Sequence, residues 1–181
     1  MKKLIIMSLA TSLLLANTYV MQNSSISQKN KEIGTIIIGT KVDIVKKDNK
    51  NSEIKLKGYR PKGGKIIYDT LGVLSSSVNL NDAKVVKVLG VETDEYENEW
   101  EVVELVASID NANLGEKDVI NEGKELFEER CGTCHALHPY DEFSKNVWPS
   151  TIKSMQDNAS LDENEYYQMV KYLQRVAPGD E

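Results

Sequence analysis

The thiols and imidazoles of this 181-residue chain number two cysteines and two histidines. All four fall between positions 131 and 138, in Cys131-Gly132-Thr133-Cys134-His135-Ala136-Leu137-His138. The run opens with C-x-x-C-H, the pattern of covalent haem attachment. Two thiols three residues apart can form thioethers with the vinyl groups on one side of a porphyrin. The adjacent histidine then lies under the iron as an axial ligand. The reading takes Cys131 and Cys134 as anchors of one covalent haem c and His135 as the proximal ligand. Two other chemistries use the same side chains. A thioredoxin-like dithiol needs a strand before C-x-x-C in a βαβ setting, but "DVINEGKELFEERC" has a helical pattern. A structural zinc site needs about four ligands, and here the candidates crowd into one stretch with no second pair elsewhere.

Those side chains need elements to hold them. Val119, Ile120, Gly123, Leu126 and Phe127 recur at three- and four-residue spacing, which predicts an amphipathic helix before the motif. In "LDENEYYQMVKYLQRV", Tyr166, Met169, Val170, Leu173 and Val176 form one stripe. Asp162 and its neighbours supply a cap and an acidic first turn, and "APGD" ends the helix. "WPSTIKSM" reads as a short helix with Pro149 in its first turn and Trp148, Ile152 and Met155 on one face. Upstream, residues 33–109 alternate as strands do. "TIIIGTKVDIV", "SEIKLKGY", "GKIIYDTLGVL", "AKVVKVLGVET" and "EWEVVELVASI" predict five or six short strands in a small antiparallel barrel or sandwich. Trp100 is read as core or edge packing, and "DNANLGEK" as a linker.

The formal net charge is −6. No basic tract points to nucleic acid, and none is expected as a partner. "MKKLIIMSLATSLLLANTYV" has a charged start, an apolar stretch and small residues after it, the layout of a secretory signal peptide. Its apolar run is shorter than the roughly 18–20 residues of a spanning helix. The expectation is a cleaved signal peptide over 1–18, a flexible leader over 19–32 and a periplasmic mature protein.

Residues 115–178 resemble a class I cytochrome c of minimal size. In that family a glycine lets the first and last helices approach and aromatics fill the crossing; Gly123, Phe127 and Tyr172 match these positions. The resemblance implies a Met sulfur on the iron opposite His135. Met155 precedes the loop into the last helix, where the family carries its ligand, and is the distal candidate. Met169, Lys153, His138 and an open iron face are the alternatives, with Met169 read as core packing. Family likeness also makes Pro139 a candidate carbonyl for the proximal imidazole, with a plain turn as its other reading. Trp148 and Tyr140 become candidate walls of the haem pocket.

A narrower likeness covers most of residues 35–178. "GYRPKGGKIIYDTLGVLSSSVNL", "ENEWEVVELVASI" and "CGTCHALHPYDEFSKNVWPSTIKSMQDNA" resemble the SH3-like segment and last haem domain of the TorC-type multihaem cytochromes. Those proteins carry electrons from membrane quinol to periplasmic trimethylamine N-oxide reductases. The resemblance implies an α+β chain of two domains: a small SH3-like β-barrel over 33–109, then a minimal all-α monohaem cytochrome c domain over 115–181. It implies an electron carrier, not an enzyme, whose acceptor is a periplasmic molybdenum oxidoreductase of N- or S-oxides. The TorC type begins with a membrane-anchored tetrahaem domain, whereas this sequence has a single C-x-x-C-H. The expected role is therefore to hand electrons on from an unidentified quinol-linked donor. The alternative is a haem-based sensor, or a protein that binds the reductase system to regulate or mature it.

Overall fold

The structure, a computed structural model, describes residues 17–179. The expected signal peptide lies outside the described residues except at its last two positions. Among the described residues no helix is long and apolar enough to cross a membrane.

Alternation dictates the sheet. On the long strand β5 (Asn51–Pro61), Ser52, Ile54, Leu56, Gly58 and Arg60 are buried while the residues between them are not. On β9 (Glu99–Asp110), Val103, Leu105, Ala107 and Ile109 are buried in the same rhythm. The two strands pair antiparallel from Asn51↔Asp110 to Pro61↔Trp100, which sets Ile54 opposite Ala107 and Leu56 opposite Leu105. Period-two burial on both partners fixes the register, because a slip of one residue would turn every apolar side chain outward.

Eight further strands complete the sheet: β1 (Thr18–Val20), β2 (Ser24–Gln28), β3 (Lys31–Ile36), β4 (Lys41–Lys47), β6 (Ile66–Thr70), β7 (Val73–Leu80), β8 (Lys87–Thr93) and β10 (Leu114–Gly115). Their order is β10-β1-β4-β5-β6-β7-β3-β2-β9-β8. Because β5 also pairs with β9, the strands β5, β6, β7, β3, β2 and β9 form a closed circuit. Ile26, Ile36, Ile54, Ile67, Val78 and Leu105 belong to the core cluster of this sheet. Arg60 is buried as well. Its Nε meets Glu101 Oε2 at 2.8 Å, and its Nη1 donates to the carbonyls of Gly64 and Ala83.

Three helices follow: α1 (Gly123–Cys131), α2 (Trp148–Met155) and α3 (Glu163–Val176). Asp162 caps α3. Its side chain accepts from Glu165 N and the Glu165 carboxylate accepts from Asp162 N, a reciprocal capping box. At Gly123 an added Cβ would lie 2.5 Å from Gln168 O and 2.7 Å from Tyr172 Cβ, so α1 and α3 cross where only glycine fits.

This architecture overturns the expected fold class. Among the described residues, one ten-stranded antiparallel sheet dominates, three helices follow it, and no separate minimal all-α cytochrome domain is present. Residues 19–32, expected as a flexible leader, contain most of β1, all of β2 and the start of β3. Part of the expected linker is β10, which pairs with β1. Val119 and Ile120, expected on the first helix, form a separate 3-10 turn. Val119 packs with Ile37 and Ile38 of the turn between β3 and β4, and a Cβ at Gly39 would run into Ile120. Further ties join helices to sheet: Asn23 N donates to Asn164 Oδ1 at 2.6 Å, Leu74 N to Asn146 Oδ1 at 2.7 Å, and Lys171 Nζ reaches Asp69 Oδ2 at 3.3 Å. The fold differs from expectation because these contacts are long-range, and local periodicity carries no trace of them.

Candidate functional site

Two helix C-termini build the site. Helix α1 delivers Cys131 as its last residue, and the turn that follows carries Cys134 and His135. Helix α2 delivers Met155 as its last residue, followed by Asn158 and Ala159. Arg130, Cys131, Cys134, His135, Met155, Asn158 and Ala159 line one cavity of about 350 Å³. Both helices are held by buried aromatics. Trp148 is fully buried at the start of α2 and meets Phe127 of α1 edge-on at 5.8 Å and Phe143 at 5.1 Å.

The imidazole is set up to ligate. His135 is exposed, and its Nδ1 lies 2.7 Å from the carbonyl of Ala136. A carbonyl oxygen only accepts, so this hydrogen bond requires the proton on Nδ1. That leaves Nε2 with its lone pair free for a metal. The Pro139 carbonyl, expected in this role, instead accepts from Glu142 N at 3.1 Å.

Both cysteines are free thiols. Burial pushes the Cys131 thiol up from its ordinary pKa, and neighbouring Cys134 adds to this. A redox dithiol needs a lowered thiol, so the shift runs against that chemistry. The zinc alternative fares no better. Among the described residues, no group of three or more His, Cys, Asp or Glu side chains gathers as a metal site.

Of the candidate distal ligands, Met155 lines the cavity. Met169 is fully buried in the helical core, with its sulfur 3.9 Å from Cys131 Sγ. Lys153 Nζ donates to Gln156 Oε1 at 2.7 Å. His138 Nδ1 pairs with Glu142 Oε2 at 2.9 Å. Tyr140 packs against Phe127 and Tyr172 and donates to Glu128 Oε1; burial and that carboxylate raise its pKa. Arg130, Asn158 and Ala159 are the wall residues that sequence reasoning missed. Arg130 adjoins the motif and is held by Glu165 at 2.8 Å. Nothing in the sequence marks Asn158.

The residues fit a haem c. Two thiols, an imidazole with a free Nε2 and a thioether converge on one cavity. Trp148 and Tyr140, expected as walls of the pocket, are not among the residues lining this cavity; Trp148 is fully buried in the helical core.

The comparisons agree on the class. The chain is similar to proteins described as cytochrome c-type, which supports a c-type cytochrome like the TorC group. It is 28% identical over 149 residues to the cytochrome c-type protein TorY of Escherichia coli O157:H7, covering 79% of this chain and 40% of that protein. It is 25% identical over 130 residues to TorY of Haemophilus influenzae, covering 67% of this chain and 35% of the relative. TorC of Escherichia coli O157:H7 is 24% identical over 151 residues, covering 80% of this chain and 39% of that protein. The chain thus spans about 40% or less of the length of these relatives. No protein-family model and no solved structure matches it.

Proposed function

We propose that the chain is an exported monohaem cytochrome c that passes single electrons to a periplasmic molybdenum reductase of N- or S-oxides. The observation that carries this reading is the convergence of Cys131, Cys134, His135 and Met155 on one cavity. Cys131 and Cys134 would anchor a haem through thioethers, and His135 and Met155 would ligate its iron. A haem c held by this set supplies a one-electron iron couple, and a thioether ligand raises its potential. The Ala136 carbonyl holds the imidazole proton on Nδ1. Trp148 packs edge-on against Phe127 and Phe143 in the core that holds α1 and α2. With two axial ligands no position remains for a substrate, so the chain is a carrier and the catalysis belongs to its acceptor. A haem enzyme or gas-sensing role needs an open iron face, and the position of Met155 weighs against one; a role in binding the reductase system would be favoured if the sheet alone bound a partner. The acceptor class and the periplasmic location rest on the likeness to the TorC type and on the signal-peptide pattern of residues 1–18.

The test is reoxidation. The reduced holoprotein is mixed with a purified trimethylamine N-oxide reductase, and its absorbance is followed after substrate is added. The expected result is reoxidation that requires both reductase and N-oxide. A holoprotein that stays reduced through many reductase turnovers on an artificial donor contradicts the assigned acceptor.

A further inference from the structure

A second cavity lies away from the haem-side residues, where the sheet meets α3. It has a volume of about 290 Å³ and is lined by Asp69, Val73 and Ser75 near the β6–β7 turn, by Ile120 and Lys145, and by Lys171, Gln174 and Arg175 of α3, with Gly39 and Thr70 at its edges. Positions 171, 174 and 175 share one face of the helix by spacing.

Three of the lining side chains are cations and one is an anion. Arg175 Nη1 pairs with Asp118 at 3.0 Å. Lys171 pairs with Asp69 at 3.3 Å. The Lys145 ammonium has no ion-pair partner among the described residues. One positive charge is therefore left over.

The state of Lys171 is informative when set beside Arg60. Both cations are buried, Arg60 at 5% and Lys171 at 4% side-chain exposure. Arg60 makes three short hydrogen bonds, to Glu101, Gly64 and Ala83. Lys171 makes one, and it is long. An ammonium has three donors, and a buried one that uses a single donor is costly. Burial accordingly pushes its pKa down. Asp69 is already engaged, because its Oδ2 also accepts from Ser75 Oγ at 2.9 Å. Gln174 Nε2 donates to the Lys145 carbonyl at 3.2 Å, which leaves its buried Oε1 as an unpaired acceptor that only a protonated phosphate O–H, not a carboxylate, would meet.

We propose that this cavity binds a small oxyanion, a phosphate or short carboxylate, held by Lys145, Lys171 and Arg175. The anion supplies acceptors for the idle donors of Lys171 and balances the charge of Lys145. A neighbouring cavity, which shares Gly39, Asp69 and Arg175, is lined by Lys41, Lys55 and Lys57 together with the acids Asp43 and Asp118. Because Lys171 lies two residues beyond Met169, whose sulfur touches Cys131 Sγ, occupancy bears on the helix that packs against the haem anchor.

The test is isothermal calorimetry of the full haem-loaded chain with inorganic phosphate, at fixed ionic strength in a zwitterionic buffer. Acetate is titrated separately to tell a phosphate site from a carboxylate site. The expected result is saturable one-to-one binding of at least one of these anions. Lys145→Glu weakens it at least about tenfold, and Lys171→Met weakens it as much. Lys145 is only half-buried, so its variant keeps the test alive if the Lys171 variant fails to fold. Absence of saturable binding by both anions overturns the proposal, and so does binding of equal strength in Lys145→Glu.

Discussion

The sheet and the helices reach order by different means. The sheet core is closed by its own hydrogen bonds, with β5 and β9 paired over their whole common length and the buried Arg60 making three short hydrogen bonds. The helical half is centred on Trp148, Phe127, Met169 and Leu173. Between α1 and α2, from 132 to 147, the chain forms neither helix nor strand, and this stretch carries Cys134 and His135. Loops of that length inside compact structures are commonly functional. The contrast teaches that strand pairing closes the sheet, while the helices pack on one another and are tied to the sheet by contacts such as Lys171–Asp69.

The strongest attack on this comparison is the double variant Cys131→Ala/Cys134→Ala. Without its anchors the helical half should lose the stabilisation of a bound group. Amide exchange in α1, α2 and α3 is expected to accelerate at least about a hundredfold relative to the holoprotein, while β5 and β9 keep their protection. Unchanged protection in the helices would erase the contrast. Next in size come paired core truncations. Trp148→Ala should cost about 3–5 kcal/mol and Leu105→Ala about 2–5 kcal/mol in denaturant unfolding. Trp148→Ala should lower a helical transition that precedes loss of the sheet signal. One shared transition in both variants would make the two halves a single cooperative unit.

Smaller effects sharpen the picture. Gly123→Ala drives a methyl into Gln168 O and Tyr172 Cβ, and should cost about 1–3 kcal/mol in the helical half. Asp162→Ala removes the α3 cap and should cost about 1 kcal/mol. Thermal melts of each variant check these figures. The smallest effect is expected at Lys171, where the sign carries the information. Burial holds its folded pKa below the ordinary 10.5. The folded chain therefore binds that proton less well than the unfolded chain does. Stability should rise with pH from the lowered folded value up to 10.5, and the penalty is fully present below that window. Lys171→Met should flatten this rise and be at least as stable as the wild type at neutral pH, because Asp69 is 43% exposed and stays hydrated. A variant that keeps the alkaline rise would show that another group causes it.

Much of the site was legible because its signals are local. C-x-x-C-H is read from five adjacent residues, Pro149 announces the start of α2, and Asp162 with Glu165 announces that of α3. Met169, read as core packing from its place on the apolar stripe, lies in the helical core, whereas Met155 lines the cavity. The sheet was only half legible. On β2 the strand "SSISQ" buries Ser24 and Ile26 and reads as a polar tail, because its pairing partners lie in β3 and β9. "TIIIGTKVDIV" looks like one strand, yet Gly39 at φ +73° turns the chain between β3 and β4. Val119 and Ile120 have helical spacing but serve the sheet, since the 3-10 turn aims them at Ile37, Ile38 and Gly39. Pairing between distant segments decided each of these, and no window of adjacent residues contains it.

The central claim is that the cavity between the ends of α1 and α2 holds a covalent haem between His135 and Met155. Optical spectra of the oxidised and reduced holoprotein, for wild type and Met155→Ala, test it most directly. The account predicts a low-spin wild type whose ferric form shows the sulfur-to-iron charge-transfer band, and loss of that band in the variant. A high-spin wild type that binds carbon monoxide readily, or a band that survives Met155→Ala, would contradict it.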